Sequence, residues 1–63
     1  MIPIQLDLTQ INGNAFAILP AFRKAAKSQG RSQAEIDLVL ADARSGDYDH
    51  LLATIMRYTD ANQ

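Results

Sequence analysis

The chain has 63 residues, 48% of them hydrophobic and 21% charged, with a formal net charge of −1. That length makes one small domain, which buries only about 60% of the surface its unfolded chain exposes, and a composition this apolar lies outside the disordered range. The absence of cysteine and the single histidine exclude disulfides and a conventional zinc site, and the near-neutral charge disfavours general affinity for nucleic acid or anionic membrane.

Residues 1–10 are expected to form an extended arm. Ile2, Ile4, Leu6 and Leu8 alternate with Pro3, Gln5 and Asp7, the period of a short, half-buried strand. Pro3 offers no amide donor, which puts that end at a sheet edge. No second strand of this quality follows in the sequence. The arm therefore lies across its own helices or pairs with a second copy. Each apolar side chain is worth roughly 1.5–3 kcal/mol on burial, and on that ground a homodimer through Ile2, Ile4, Leu6 and Leu8 is favoured.

Thr9 to Asn14 is turn chemistry, with Asn12-Gly13 suited to positive φ and Asn14 suited to cap a helix over 14–29. Ala15, Ile18, Leu19, Phe22, Ala25 and Ala26 repeat at helical spacing, and Phe16 widens that apolar stripe. Arg23, Lys24 and Lys27 favour the negative end of this helix, and Gly30 suits its C-terminal cap. Pro20 removes a backbone hydrogen bond from the middle of the stripe, so a kink or a helix starting near Leu19 is expected.

Ser32 and Glu35 have the spacing of a capping box ahead of a second helix over 33–45, whose stripe is Ile36, Val39, Leu40 and Ala43. Gly46 is expected to end it in left-handed geometry. A third helix over 47–59 starts with Asp47 as cap and Asp49 near its positive end. Leu51, Leu52, Ile55 and Met56 point inward, Tyr58 covers the end of the bundle, and Asp60 to Gln63 fray. The expected fold is mainly α: a three-helix bundle with a short N-terminal extended segment or strand, one domain over 1–63.

The stretch Ser45 to Leu52, SGDYDHLL, gathers two carboxylates, a phenol and the only histidine. Each residue has a local structural reason: Gly46 ends one helix, Asp47 and Asp49 favour the start of the next, and Tyr48 and His50 fill the rest of its first turn. A helical first turn splays Asp47, Asp49 and His50 around the axis, which opposes a metal site. No serine or cysteine motif accompanies His50 as a base. No catalytic residue, metal or other cofactor is expected, and the functional use left to Tyr48, Asp49 and His50 is an exposed protein-binding rim. Arg23, Lys24, Lys27 and Arg31 hold four of the six positive charges and form the candidate patch for an anionic partner. A helix-turn-helix reading of the second and third helices would place Asp47 and Asp49 against phosphates, which repel them.

The Gly46-Asp47 junction resembles that of ubiquitin-associated domains, but the loop Ser28 to Ser32 is polar where that family carries a hydrophobic Met-Gly-Phe-type loop. More of the chain, from Ile11 to Tyr58, resembles a group of small bacterial and phage-borne proteins of unknown function. The motifs that carry the likeness are GNAFAIL at Gly13 to Leu19 and SGDYDHLL at Ser45 to Leu52. Members of that group often have glycine where Pro20 stands. The resemblance implies a phage or mobile-element setting and no particular chemistry.

The expected function is a small protein-interaction module, an inhibitor or adaptor that binds rather than catalyses. The alternative is a nucleic-acid-binding accessory protein using the basic end of the first helix. No membrane partner is expected, since no apolar run approaches the roughly 20 residues of a bilayer span. MIPIQLDL lacks the basic stretch of a secretory signal, and the expected location is the cytoplasm.

Overall fold

Asn14, Ser32 and Asp47 each stand one residue ahead of a helix, and in the computed structural model, which describes residues 3–11 and 13–60, each caps one. Asn14 Oδ1 accepts from the amide of Phe16 at 2.7 Å and opens α1 (Ala15–Ser28). Ser32 Oγ accepts from Glu35 N at 3.2 Å while Glu35 Oε1 accepts from Ser32 N at 3.0 Å, which completes the capping box of α2 (Gln33–Ala43). Asp47 Oδ1 accepts from His50 N at 2.9 Å and opens α3 (Tyr48–Arg57). A cap of this kind is worth about 1 kcal/mol.

The helix ends differ. After α1, Gly30 adopts φ 88°, the left-handed region that costs glycine nothing. Gly30 N then donates to Lys27 O at 3.1 Å and Arg31 N to Ala26 O at 3.0 Å, the paired bonds of a Schellman cap. Among the described residues Gly30 is the only one with positive φ. The left-handed stop expected at Gly46 is therefore absent, and Gly13 does not need positive φ either; Asn12 lies outside the described residues. Arg44 stays in right-handed geometry and bonds Leu40 O at 3.1 Å, so α2 ends without a left-handed residue.

Pro20 neither delays nor splits α1, which runs from Ala15 through it. The amide it lacks would have bonded the Phe16 carbonyl. Phe16 and Pro20 are both exposed, so water reaches the carbonyl left over and the cost of the missing bond is reduced.

Phe22, Ile36 and Ile55, one from each helix, are fully buried together with Ile4 from the arm. The α2 stripe of Ile36, Val39, Leu40 and Ala43 lies inward as its spacing predicts. Two inward expectations fail: Phe16 is 89% and Met56 61% exposed. The fully buried Thr54 occupies the α3 position facing the core instead.

The arm holds a strand at Ile4–Gln5 only (β1), because Asp7 turns the chain into a short 3₁₀ helix, Leu8–Gln10. Its carboxylate accepts from Thr9 N at 3.0 Å and Thr9 Oγ1 at 2.6 Å. The partner strand missing from the sequence reading is Thr59–Asp60 (β2), directly after α3. The two strands are parallel, with Ile4 opposite Thr59 and Gln5 opposite Asp60. Ile4 N donates to Tyr58 O at 2.7 Å and Leu6 N to Asp60 O at 3.3 Å. The other edge of β1 is closed by a side chain: Gln29 Oε1 accepts from Gln5 N at 2.9 Å, and Gln29 Nε2 donates to Gln5 O at 2.8 Å. Its amide takes the place of a third strand. Ile4 is buried on its own chain's helices, and Leu6 and Leu8 pack partly against the same core and stay half-exposed. Ile2 lies outside the described residues. Asp60, expected to fray, belongs to β2.

Candidate functional site

The short connection from Arg44 to Asp47 sets the first turn of α3 against the last turn of α2. His50 reaches back across it. Its Nε2 lies 2.8 Å from the Asp42 carbonyl oxygen and 3.2 Å from Asp42 Oδ1, with Ser45 Oγ and Thr54 Oγ1 each at 3.3 Å. A carbonyl only accepts, so Nε2 carries the hydrogen in that contact. Ser45 Oγ also donates to the Asp42 carbonyl, at 2.7 Å. The ring thus adds a bond to the Asp42 carbonyl, which already accepts from Ser45 N at 3.1 Å at the end of α2. A serine, a histidine and an aspartate meet here, but both oxygens meet the same ring nitrogen. A Ser-His-Asp relay requires them on opposite nitrogens. This is a clamp between two helices.

Gly46 serves the clamp through its lack of a side chain. A Cβ there would stand 2.9 Å from His50 Cβ and Cγ, closer than such atoms approach in practice. Tyr48, expected only to fill the first turn, donates its hydroxyl to the Gly13 carbonyl and ties the start of α3 to the segment ahead of α1. Asp47 is occupied as a cap and Asp49 is exposed in the first turn. Tyr48, Asp49 and His50 thus lie together in sequence; two of them, Tyr48 and His50, bond structural partners while staying about two-fifths exposed. The carboxylate that meets His50 is that of Asp42, eight residues earlier. The sequence signal for this arrangement is a glycine four residues before a histidine, in a connection too short to separate the helices.

Of the four cations of the expected patch, Arg23, Lys24 and Lys27 share the outer face of α1 and line one hollow with Pro20, Ser28 and Gln33. Arg31 does not join them. It sits half-buried beyond the end of α1, and its charge helps hold the Glu35 carboxyl below its ordinary range, after the larger effects of hydrogen bonds from the Ser32 backbone and side chain. Arg44 takes its place. With Arg23 it flanks a groove of about 400 Å³ between α1 and α2, lined also by Leu19, Pro20, Asp37, Leu40 and Ala41. Arg23, Lys24, Lys27 and Arg44 are in no ion pair among the described residues.

Phe16 extends this face. It precedes Pro20 by one helical turn and Arg23 by two, so an aromatic ring 89% open to solvent heads the basic stripe. Helical spacing alone assigned it to the core, because position 16 neighbours the buried stripe on the helix surface. No helix among the described residues is long and apolar enough to cross a membrane. No family model matches the chain, and no curated protein or solved structure matches it.

Proposed function

We propose that the chain is a small protein-interaction module acting by binding rather than by catalysis, an inhibitor or adaptor of phage or mobile-element origin. The observation that supports it is Phe16. Burying such a side chain is worth roughly 1.5–3 kcal/mol, which matters in a domain this small, yet the ring stands in water one turn before Pro20, on the face of α1 that carries Arg23 and Lys27. An exposed aromatic anchor ringed by polar groups is the usual make-up of a binding hot spot. The phage or mobile-element setting rests on the GNAFAIL and SGDYDHLL resemblance, and the cytoplasmic setting on the cysteine-free composition. Self-association through the arm rests on Leu6 and Leu8, which stay half-exposed, since Ile4 is buried within the chain.

The same aromatic-and-cation stripe supports a second reading, an accessory protein that stacks a base on Phe16 and pairs phosphates with α1. Its mark is retention on single-stranded DNA that falls steeply with salt. The primary reading is tested by replacing Phe16 with a photo-crosslinking amino acid and irradiating in a lysate of the source organism. A discrete protein adduct is expected from position 16 and not from the exposed Ala53 on α3. Identical products at both positions, or none at position 16, would sink it.

A further inference from the structure

We propose that the groove between α1 and α2 receives an acidic amphipathic helix of a protein partner, with Arg23 and Arg44 taking its carboxylates. This rests on the binding-module reading and adds the chemistry of the partner. Leu19, Pro20, Ala41 and the edge of the nearly buried Leu40 give the groove its aliphatic lining, and Arg23 of α1 and Arg44 at the end of α2 line it with them. Arg23 and Arg44 have no ion-pair partner among the described residues. Each guanidinium presents a fork of donors that matches a carboxylate two bonds at a time.

Two arginines, Arg23 and Arg44, outnumber the one carboxylate, Asp37, in the lining of the groove. Lys24 and Lys27 continue the positive charge through the neighbouring hollow, which shares Pro20 and Arg23. The carboxylate lining the groove, Asp37, is engaged by Gln33 Nε2 at 2.8 Å. In a chain of net charge −1, Arg23, Lys24 and Lys27 thus lie together on α1, and Arg44 stands where α2 ends, near Asp42 and Asp47. An acidic ligand is attracted to the groove by Arg23 and Arg44 and steered toward it by Lys24 and Lys27.

The floor decides between classes of anion. A nucleic-acid backbone brings phosphates and needs aromatic faces for its bases, and the groove floor is aliphatic. A helix with leucine-type residues on one face and carboxylates along its border meets both the floor and the two arginines. A groove between two helices is the usual receptor for such a segment.

The test is a titration of ¹⁵N-labelled full-length protein with three probes: a Leu/Glu amphipathic helical peptide, its Leu/Lys counterpart, and oligothymidine. The Leu/Glu peptide is expected to shift the amides of Arg23, Leu40, Ala41 and Arg44. The charge reversal R23E/R44E should weaken it by about tenfold or more, and R23Q/R44Q should weaken it less. Both variants change exposed side chains, and their melting temperatures verify that they fold. Equal binding of the Leu/Lys peptide, indifference to R23E/R44E, or binding of oligothymidine alone would overturn the proposal. Photo-crosslinking from position 16 separates the two levels: an adduct that persists in R23E/R44E keeps the binding module and removes the acidic groove. The absence of any adduct from position 16 in the otherwise unchanged protein removes the module reading itself.

Discussion

Three side chains show how far a local reading reaches. Asn14, Ser32 and Asp47 each bond an amide two or three residues on, so their roles are legible from spacing alone. His50, Tyr48 and Gln29 were not, because their partners lie 8, 35 and 24 residues away and depend on how the helices come to rest. The bond from His50 to the Asp42 carbonyl has a measurable consequence. His50→Ala removes the Nε2 bond to the Asp42 carbonyl and should cost about 1 kcal/mol, the net worth of an ordinary hydrogen bond. Gly46→Ala should also destabilise, since the added Cβ would meet His50 at 2.9 Å. The two are coupled: Gly46→Ala should cost less in the His50→Ala background, where the ring is gone, though the contact with Cβ remains. Urea unfolding of the two single variants and the double variant measures this cycle. A neutral His50→Ala would show that the ring only fills the first turn.

At the scale of elements, the helices were readable because each carries both an apolar stripe and a cap, and the two signals agree. The strands were not. β1 and β2 have two residues each, too few for alternation to show, and Thr59–Asp60 looks like a frayed helix end until Ile4 lies beside it. Phe16 and Met56 show the other failure: a stripe gives the buried face, while the width of the neighbouring helix decides which border residue is covered. The capping box of α2 adds a pH dependence. Hydrogen bonds from the Ser32 backbone and hydroxyl hold Glu35 below its ordinary value in the folded chain. A carboxyl depressed on folding stabilises above its unfolded value, and that contribution is lost as pH falls through the folded one. Glu35→Ala should therefore lower the melting temperature at neutral pH, and the gap from the parent should close as the carboxylate range is passed in acid. A gap that stayed constant with pH would mean that the charge of Glu35 plays no part in the cap.

For the whole molecule, the decisive feature is the pairing of β1 with β2 across the helices. Ile4 is fully buried, β2 lies on one edge of β1, and the Gln29 amide lies on the other. The arm is thus a part of the core, held by backbone bonds that would otherwise be offered to another copy. A domain of this size has a total stability of roughly 3–9 kcal/mol at the usual 0.05–0.15 kcal/mol per residue. Replacing a buried isoleucine by alanine costs about 2–5 kcal/mol, so Ile4→Ala should remove much of that margin, and deletion of Met1 to Leu8 should unfold the helices rather than alter an association state. Circular dichroism melts follow the first effect, and sedimentation equilibrium follows the second, where the full-length chain is expected at its monomer mass of 6.9 kDa. The opposite pattern is distinct. If the full-length protein sediments as a dimer that Ile4→Ala splits into folded monomers, the arm serves an interface between copies, and its place against Phe22 and Ile55 is not what holds the fold.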